Sequence, residues 1–564
     1  SQSGNKTKFN EDIDAFVPGV SKQNETTLGA ANGSYSLEET LKKSFETAHE
    51  LSRKITNNDN KISFPNVVEK KSTTHDKFWC VPLPKGKNYK RFLDFQNDVA
   101  VSDVEIALKE GYRSIEHVKR YTTLGMATDQ GKTSNLNGLQ LVSNIENKVV
   151  PNVGHTTFRP PYTPVSIGAI VGREVGKHSK PTRKSPMHSW HEKNNAVFVD
   201  AGVWLRPRYY KKGNENLFEG SKREAKNVRT NVGVCDVTTL GKIDIKGPDA
   251  VELLNRVYTN AWLKLPVGKA RYGVMLREDG IVMDDGTTTR ISENHYHMTT
   301  TTAQAANVLS HLEYYLQLVW PELNVNVVST TEQWAGAAIA GPKSRTLMSR
   351  LTDLDVSNKS FPWLSAKIGD IGFSECSIIR VNFVGELGWE IHHPIEQQNN
   401  IFDHIMHAGK DLNLKPFGIR ALDSLRLEKS YRLIGTELSI EYAAFESGLH
   451  RFIDLGKGDF IGRTALLNWQ KAGLSYSLAT LEIHKTKYAD AIGSNPIFYN
   501  GENVGRVTSG GFGFRLNKSL ALAMLKPEFS QIGTELKVNI LGVVYDATVI
   551  KNSPYDPENL KLKS

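Results

Sequence analysis

The stretch Arg271-Tyr-Gly-Val-Met-Leu-Arg-Glu-Asp-Gly-Ile-Val-Met-Asp-Asp-Gly286 joins apolar and aromatic runs through a glycine turn and ends in a pair of carboxylates. A later stretch, Val384-Gly-Glu-Leu-Gly-Trp-Glu-Ile391, again places acidic side chains beside an aromatic one. Both patterns predict short strands and turns. Carboxylates beside aromatic rings suit a site that holds a flat, donor-rich heterocycle and stabilises a cationic one-carbon fragment.

The overall composition is that of a folded, soluble protein with several domains. The chain has 564 residues, of which 39% are hydrophobic and 23% are charged. Because it holds no run of roughly 18 apolar residues, we expect no membrane-spanning helix. Its cysteines, Cys80, Cys235 and Cys376, form no CxxC pair. We therefore expect small buried thiols, no metal site and a reducing, cytoplasmic location.

The net charge indicates which kinds of partner to expect, and the first residues indicate whether the sequence is part of a longer protein. A formal net charge of +9 is modest for this length, and no nucleic-acid reader motif accompanies the basic clusters. We expect no nucleic-acid partner, and an anionic small ligand or an acidic subunit accounts for the charge equally well. The polar start, Ser1–Phe9, lacks both Met and a signal-peptide core. We expect a piece of a longer protein.

The acidic pair of the first stretch has two interpretations. Adjacent residues of a strand point to opposite faces, so only one of Asp284 and Asp285 can enter a given pocket. A solvated turn pair is the alternative. Tyr272 lies thirteen residues before Asp285, and for this residue an ordinary core tyrosine is the alternative.

The two quoted stretches, in this order and spacing, resemble the folate-binding family of the glycine cleavage T protein. Gly505-Arg-Val-Thr-Ser-Gly-Gly511 resembles the strands of its C-terminal domain. The resemblance implies an α+β, multidomain fold with T-protein-like folate-binding α/β lobes and a C-terminal β-barrel. It also implies site residues. Asp285 would be the catalytic carboxylate near folate N5 and N10, Glu390 would accept the pterin N–H groups, and Tyr272 and Phe383 would complete the folate pocket.

Other acidic and basic residues of these motifs have structural explanations. We expect Glu386 to serve the turn or the surface. In Ala421-Leu-Asp-Ser-Leu-Arg-Leu-Glu428 we expect Arg426 and Glu428 to form a pair on the helix. Leu422 stands where the T protein carries Arg, which speaks against recognition of an aminomethyl-lipoyl carrier.

A segment before the folate-binding region is rich in hydroxyls and glycines. Glu116-His-Val-Lys-Arg-Tyr-Thr-Thr-Leu-Gly-Met-Ala-Thr-Asp-Gln-Gly-Lys132 and Thr156-Thr-Phe-Arg-Pro-Pro-Tyr-Thr-Pro-Val165 resemble the middle of the alpha subunits of heterotetrameric sarcosine oxidases. From the residues alone, a structural loop is the alternative. The resemblance implies that the segment faces a flavoprotein subunit and shares its FMN. The residues at the FMN phosphate would be Arg120, Thr122, Thr123 and Lys132.

These resemblances predict a division into four parts. Residues 1–56, with the Leu28–Gly33 turn and the helix after it, would be the C-terminal remnant of a dinucleotide-binding domain. Residues 57–185 would form a small, mainly helical middle domain with the FMN interface. Residues 186–475 would be the folate-binding, aminomethyltransferase-like domain, and residues 476–564 the β-barrel.

The resemblance implies a function within a larger complex. Sarcosine would be demethylated oxidatively to glycine with formation of hydrogen peroxide, at an FAD in the beta subunit. This chain would bind tetrahydrofolate and convert the imine to 5,10-methylenetetrahydrofolate. NAD would bind in the missing N-terminal part, and gamma and delta subunits would complete the assembly. Two alternatives remain: a related complex acting on another N-methyl amino acid, such as N-methylglutamate, and a stand-alone aminomethyltransferase.

Overall fold

The structure is a computed structural model that describes residues 4–56, 63–64, 66–68, 78–178, 180, 182–486 and 489–564. The chain divides into two compact units, Ser1–Lys180 and Pro181–Ser564. The domain boundary predicted at residue 57 lies outside the described residues. In the part of the chain that the structure describes, no helix is both long and apolar enough to cross a lipid bilayer.

The first unit is mainly helical. Its longest helix begins after Ser36, whose hydroxyl accepts a hydrogen bond from the Glu39 amide at 3.2 Å. Its apolar core includes Val104, Val118 and Leu139. The elements are β1 (Thr7–Asn10), β2 (Ala15–Pro18), α1 (Leu37–Thr56), β3 (Phe92–Asp94), β4 (Val99–Ala100), α2 (Val101–Lys109), α3 (Ile115–Thr122), α4 (Asn135–Glu146), α5 (Val150–Val153) and α6 (Ile167–Val171).

The second unit mixes strands and helices and ends in strands. Its elements up to residue 351 are β5 (Arg183–Lys184), α7 (His188–Lys193), β6 (Ala196–Ala201), β7 (Trp204–Tyr210), α8 (Leu217–Thr230), β8 (Val232–Asp236), β9 (Gly241–Lys246), α9 (Ala250–Val257), β10 (Ala270–Leu276), β11 (Val282–Ser292), β12 (His295–Thr300), α10 (Ala305–Tyr314), β13 (Asn326–Ser329), β14 (Trp334–Ala340) and α11 (Ser344–Leu351).

The later elements of this unit are β15 (Ala366–Ile371), β16 (Ser374–Ile379), β17 (Gly388–Pro394), α12 (Gln398–Ala408), β18 (Leu414–Pro416), α13 (Ile419–Leu427), α14 (Arg463–Ala472), β19 (Ser477–Ile483), β20 (Pro496–Tyr499), β21 (Glu502–Gly513), β22 (Lys518–Leu525), β23 (Glu535–Ile540), β24 (Val543–Ile550) and α15 (Leu560–Lys563).

Two sheets form the centre of the second unit. The Asp285 sheet has the order β10-β11-β12-β9-β13, and the Glu390 sheet has the order β15-β16-β17-β14-β8-β18. One face of the Asp285 sheet packs its apolar residues on α9 and α10. One face of the Glu390 sheet packs on α11 and α12. Because strand residues alternate between faces, each sheet keeps a second face that carries polar side chains.

The C-terminal strands close into a barrel. Within the described residues, the strand order is β19-β22-β21-β20-β23-β24, and β24 pairs back with β19. Alternate residues, among them Leu481, Val507, Ala523 and Val538, fill the interior. The closed strand order confirms the C-terminal β-barrel that the resemblance implies.

A buried guanidinium fastens the barrel and two helices to the Glu390 sheet. Arg229, at the end of α8, donates to Glu386 Oε1 at 3.1 Å and to Glu428 Oε2 at 2.9 Å. Glu428 Oε1 accepts the backbone N–H of Arg515, which lies between two barrel strands, at 2.8 Å. The ring of Tyr555 lies 3.9 Å from the guanidinium. Loss of one partner from such a buried network costs about 3–5 kcal/mol, because a charge is left unpaired.

This network corrects two expectations. Glu386 lies in the bend before β17, which is one of its two expected positions, but it is not at the surface; it is 1% exposed and accepts hydrogen bonds from Arg229 and the hydroxyl of Tyr555. Arg426 and Glu428 do not pair with each other. Arg426 donates to Asp423 Oδ1 at 2.7 Å and lies 3.3 Å from Glu437. Arg426 thus pairs within its own helix and with Glu437 beyond it, whereas Glu428, just after α13, pairs with Arg229, which lies 199 residues earlier.

Candidate functional site

The β10–β11 hairpin brings Tyr272 and Asp285 together. The two strands pair antiparallel, with Tyr272 opposite Thr287 and Val274 opposite Asp285. Residues directly opposite each other in a strand pair have their side chains on the same face, so Tyr272 shares a face with Thr287. Asp285 is two residues before Thr287 on the same strand, so it lies on that face as well. The Tyr272 hydroxyl donates to Asp285 Oδ2 at 2.6 Å.

Two opposing effects act on the pKa of Asp285. Burial raises the pKa of Asp285 to about 6, although the hydrogen bond from Tyr272 acts to lower it. Burial and the Asp285 charge raise the pKa of Tyr272 well above its usual value, so the tyrosine stays a donor. Asp285 is therefore a carboxylate at neutral pH that gains a proton readily in mild acid.

Arg432 is a charged residue close to Tyr272 that no sequence motif predicted. Its guanidinium donates to the backbone carbonyls of Ser447 at 3.0 Å and Gly448 at 3.2 Å. Its positive charge acts to lower the pKa of Tyr272. Burial lowers the pKa of Arg432 itself. It also donates to the carbonyl of Ser430 at 3.3 Å. No local motif marks this arginine, because its two shorter bonds are to carbonyls of a later turn.

Asp284 lies on the opposite face of β11, and the solvated-turn alternative is wrong for it. The residue is 2% exposed. Thr301 N–H donates to its Oδ2 at 3.1 Å, while its Oδ1 lacks a partner among the described residues. Gly286 allows β12 to approach here, because a Cβ on it would stand 2.0 Å from the Thr299 oxygen. Burial, reinforced by the Asp285 charge, raises the pKa of Asp284 to about 8.

Glu390 faces the Asp285 sheet from the neighbouring sheet. It lies on β17 between Ala338 of β14 and Ile379 of β16, and it is partly exposed. Burial raises its pKa to about 7, against the positive charge of Lys242, which lowers it. Lys242, on β9, donates to the carbonyls of Thr238 at 2.6 Å and Leu240 at 2.8 Å. Burial lowers the pKa of Lys242 to about 8.

Two histidines connect the sheets behind Glu390. His392 Nε2 lies 3.4 Å from Glu390 Oε2, and its Nδ1 lies 3.2 Å from His297 Nε2 on β12. His297 Nδ1 lies 2.8 Å from Asp244 Oδ1 on β9. No motif in the sequence predicted this row. Alternation along β17 places His392 on the face of Glu390, but His297 and Asp244 come from other strands.

The remaining predicted folate residue lies near an additional aromatic ring. Phe383 is half-buried in the loop before β17, and its ring centroid lies 5.5 Å from that of Tyr431. Arg426 donates to the Tyr431 carbonyl at 3.0 Å, which fixes the chain just after α13. The structure thus supplies a second ring that the motif comparison did not predict.

An open cavity of about 310 Å³ lies elsewhere in the unit, between α8, α13 and β21. Phe218, Phe512 and Phe514 give it an apolar wall, and Arg420 and Asp423 lie at its edge. Its described lining does not include the predicted folate residues. Among the described residues, no group of three or more His, Cys, Asp and Glu side chains is arranged to hold a metal ion.

The residues predicted to bind FMN lie around the end of α3 and the turns after it. Arg120, Thr123 and Lys132 are exposed. Lys132 donates to the carbonyl of Tyr162 at 2.8 Å and lies 4.1 Å from the centre of its ring. The Thr122 hydroxyl donates to the Val118 carbonyl at 2.7 Å. These contacts order the segment, and binding of FMN by these residues stays a prediction.

Comparison with known proteins assigns the second unit to a family. Residues 187–457 match the GCVT N-terminal domain, and residues 477–556 match the glycine cleavage T-protein C-terminal barrel domain. An aminomethyltransferase of Caldanaerobacter subterraneus is 31% identical over 375 residues, which is 66% of this chain and 96% of that protein. The chain belongs to the glycine cleavage T-protein family.

The chain has an additional region, before its T-protein-like part, that resembles another group of proteins. Residues 88–173 match the sarcosine oxidase A3 domain. Sarcosine oxidase subunit alpha of Rhizobium meliloti is 42% identical over 500 residues, 86% of this chain and 50% of that subunit. The corresponding subunit of Corynebacterium sp. (strain P-1) is 36% identical over 577 residues, 99% of this chain and 59% of that subunit. The chain is a homologue of these subunits, and it spans 50–59% of their length.

A solved structure supports the fold class. Aminomethyltransferase T from Bartonella henselae superposes with a TM-score of 0.60 at 23% identity, covering 66% of this chain and 98% of that one. Together with the barrel, this confirms the prediction of a T-protein-like α+β fold. Both resemblances inferred from sequence motifs are thus confirmed, and the four domain boundaries stay a prediction.

The position of Asp284 gives a pH-dependent prediction. Between its ordinary pKa of 3.8 and about 8, the folded chain holds a proton that the unfolded chain has lost. Stability from this group is therefore complete at low pH and declines as pH rises. The Asp284→Asn variant has no titrating group at this position. As pH rises through this window, the free energy of unfolding of the variant should therefore increase relative to that of wild type, by up to about 1.4 kcal/mol per pH unit.

Urea denaturation of both proteins at several pH values measures this difference. Asp279→Asn is the matched control, because Asp279 is an exposed residue of the same hairpin. Its effect should be small and constant with pH. A pH-independent difference for Asp284→Asn would show that Asp284 ionises as a solvated carboxyl does.

Proposed function

We propose that this chain is the folate-binding part of a sarcosine oxidase alpha subunit, in a complex that demethylates sarcosine oxidatively to glycine and forms hydrogen peroxide. The observation that carries the proposal is a pair of partly exposed carboxylates, Asp285 and Glu390, on facing sheets of a T-protein fold. The sarcosine oxidase A3 match over residues 88–173 favours this function over that of a stand-alone aminomethyltransferase.

Glu390 suits the pterin ring of tetrahydrofolate. Among the described residues, its carboxylate has one hydrogen-bond neighbour, His392 at 3.4 Å. One edge is therefore left for a ligand, and a pterin presents an N–H and an amine side by side, as a guanidinium does. Phe383, in the loop that leads to the strand of Glu390, and Tyr431 would offer aromatic surface for the flat part of such a ligand. The residues present fit the group.

Asp285 is suited to the transfer step. Tetrahydrofolate supplies the nitrogen that captures the one-carbon unit to give 5,10-methylenetetrahydrofolate. As a carboxylate held in place by the Tyr272 hydroxyl, Asp285 stabilises a cationic fragment and accepts the proton that the nitrogen loses. Its pKa of about 6 keeps it ionised, but basic enough for this task, near neutral pH.

The proposal includes cofactors and partners beyond this chain. FAD would lie in a beta subunit, FMN between that subunit and residues 57–185, and NAD in a part of the alpha subunit outside this sequence. Gamma and delta subunits would complete a cytoplasmic heterotetramer. The amine is oxidised in the beta subunit, so a related complex acting on another N-methyl amino acid, such as N-methylglutamate, remains the alternative. The amine that the purified complex oxidises decides between them.

The proposed FMN contact rests on exposed cations in the A3 region. Arg120 and Lys132 bring positive charge, and Thr123 brings a hydroxyl, to the turns that follow α3. An FMN phosphate attracts such groups. The Thr122 hydroxyl is already bonded within the helix, so its contribution would be to shape the turn.

The first test of the proposal is folate binding. Glu390→Ala should weaken the affinity for tetrahydrofolate by about 1.5–3 kcal/mol, the range for a hydrogen bond to a charged group. Isothermal titration of the full chain measures it. Glu375→Ala, an exposed residue on the adjacent β16, should bind as wild type does. Equal affinity in the Glu390 and Glu375 variants would remove Glu390 from the folate site.

The second test separates chemistry from binding. Asp285→Asn keeps the shape and hydrogen bonding of the side chain but carries no charge and accepts no proton. In the assembled complex the transfer step should slow by roughly 10²–10⁴, so that free formaldehyde replaces 5,10-methylenetetrahydrofolate. Folate affinity and peroxide output should change little. Asp284→Asn should retain transfer; if it alone loses transfer, the proton acceptor lies on the other face of β11.

The third test concerns FMN. Lys132→Ala in the assembled complex should lower the FMN content or slow electron transfer to FMN, while FAD remains in place. Flavin analysis and rapid-reaction spectroscopy measure both. Lys148→Ala, an exposed lysine of the same unit that pairs with Glu146, is the control. Full FMN content with normal turnover in the Lys132 variant would leave this segment with a structural role.

A further inference from the structure

The row Asp244–His297–His392–Glu390 has three links and a definite number of protons. The linked atoms are 2.8 Å apart between Asp244 and His297, 3.2 Å apart between His297 and His392, and 3.4 Å apart between His392 and Glu390. A hydrogen bond at each link requires one proton between its two atoms. An ionised Asp244 with two neutral histidines and an ionised Glu390 supplies only two protons. A third proton completes the row, so the four groups together carry a charge of −1 rather than −2.

That third proton has two extreme positions. In one, Glu390 is protonated and donates to His392 Nε2, His392 Nδ1–H donates to His297 Nε2, and His297 Nδ1–H donates to Asp244. In the other, Glu390 is a carboxylate, His392 is neutral with its proton on Nε2, and His297 is an imidazolium beside Asp244. The two arrangements contain the same atoms and the same total charge.

We propose that Asp244, His297 and His392 form an internal proton store for Glu390, which lets Glu390 become a carboxylate when a pterin docks, without release of a proton to solvent. The inference rests on the proposed function, because it assumes that Glu390 binds folate. Two transfers accomplish it. The Glu390 proton moves to His392 Nε2, and the His392 Nδ1 proton moves to His297 Nε2. These three are positioning residues, since they act through Glu390.

The charges along the row favour this direction. Burial raises the pKa of Asp244, but hydrogen bonds from His295 and His297 outweigh it and hold the pKa well below its usual value. Asp244 therefore remains an anion beside His297. Burial and the neighbouring His297 and Lys242 lower the pKa of His392, so the extra proton does not stay there. His297, which is 4% exposed, is the histidine of the row that contacts the ionised Asp244 directly, at 2.8 Å.

Other titratable groups face the row and must be accounted for. Lys242 lies near Glu390, and Asp236 and His393 lie near Lys242. His295 contacts Asp244 Oδ2 at 3.0 Å, and Lys246 lies 3.7 Å from the same atom. These groups are common to wild type and to variants within the row. The difference in proton release between wild type and these variants therefore reports on the row alone.

The experiment measures the protons released when tetrahydrofolate binds to the full chain. Titration calorimetry in buffers of different ionisation enthalpy gives this number, and the same data give Kd at each pH. Wild type should release almost no proton between about pH 6 and 7, and its Kd should vary little. In His297→Gln the chain of transfers is broken. That variant should release close to one proton at about pH 6, and its Kd should rise up to tenfold per pH unit below about 7.

Two further variants keep the test decisive. Asp244→Asn removes the anion that holds the imidazolium, so it should behave as His297→Gln does, and it replaces that variant if the glutamine protein does not fold. His295→Gln is the matched control, because His295 lies outside the row and the glutamine amide still offers Asp244 Oδ2 a donor, so that Asp244 stays an anion. It should bind as wild type does at each pH.

The outcomes distinguish the inference from the function on which it rests. If wild type releases a full proton, or if the row variants and wild type share one pH profile, the proton store is overturned while folate binding stands. If wild type does not bind tetrahydrofolate at any pH, or if Glu390→Ala binds it equally well, the folate assignment fails instead.

Discussion

The arrangement of the second unit depends on the pairing of Arg229 with two carboxylates in a place that water does not reach. Both Glu386 and Glu428 would be costly to bury alone, and one guanidinium neutralises them together. The pairing fixes α8, α13 and the loop before β17 relative to one another. Glu390 lies four residues after Glu386. Arg229 thus holds the loop that leads into the strand carrying the candidate folate carboxylate.

The candidate site follows from how the two sheets are covered. Helices cover the outer faces of both sheets, and the two predicted site carboxylates, Asp285 and Glu390, lie on the inner faces, where each is partly exposed. Partial burial brings the pKa values of Asp285 and Glu390 to about 6 and 7. Carboxyl groups with such values can exchange protons near neutral pH, which ordinary surface carboxylates do not do.

The sequence alone predicted those features that depend on contacts between residues close together in the chain. Ser36 marks the start of α1, and strand alternation separates Asp284 from Asp285. Family motifs added the T-protein fold. The burial of Asp284 was not predictable, because its donor Thr301 lies just after β12, outside the β10–β11 hairpin. The partners of Glu428 and His392 lie 199 and 95 residues away, beyond the reach of any helical or strand period.

The closed barrel limits how other proteins can contact the C-terminal region. Over residues 477–486 and 489–550, each strand is paired on both sides. A segment from another chain cannot extend this sheet by adding a strand, which is a common route to both regulated docking and aggregation. Recognition of the barrel must therefore use side chains and turns, and changes to its exterior can be made with little danger of fibre-like association.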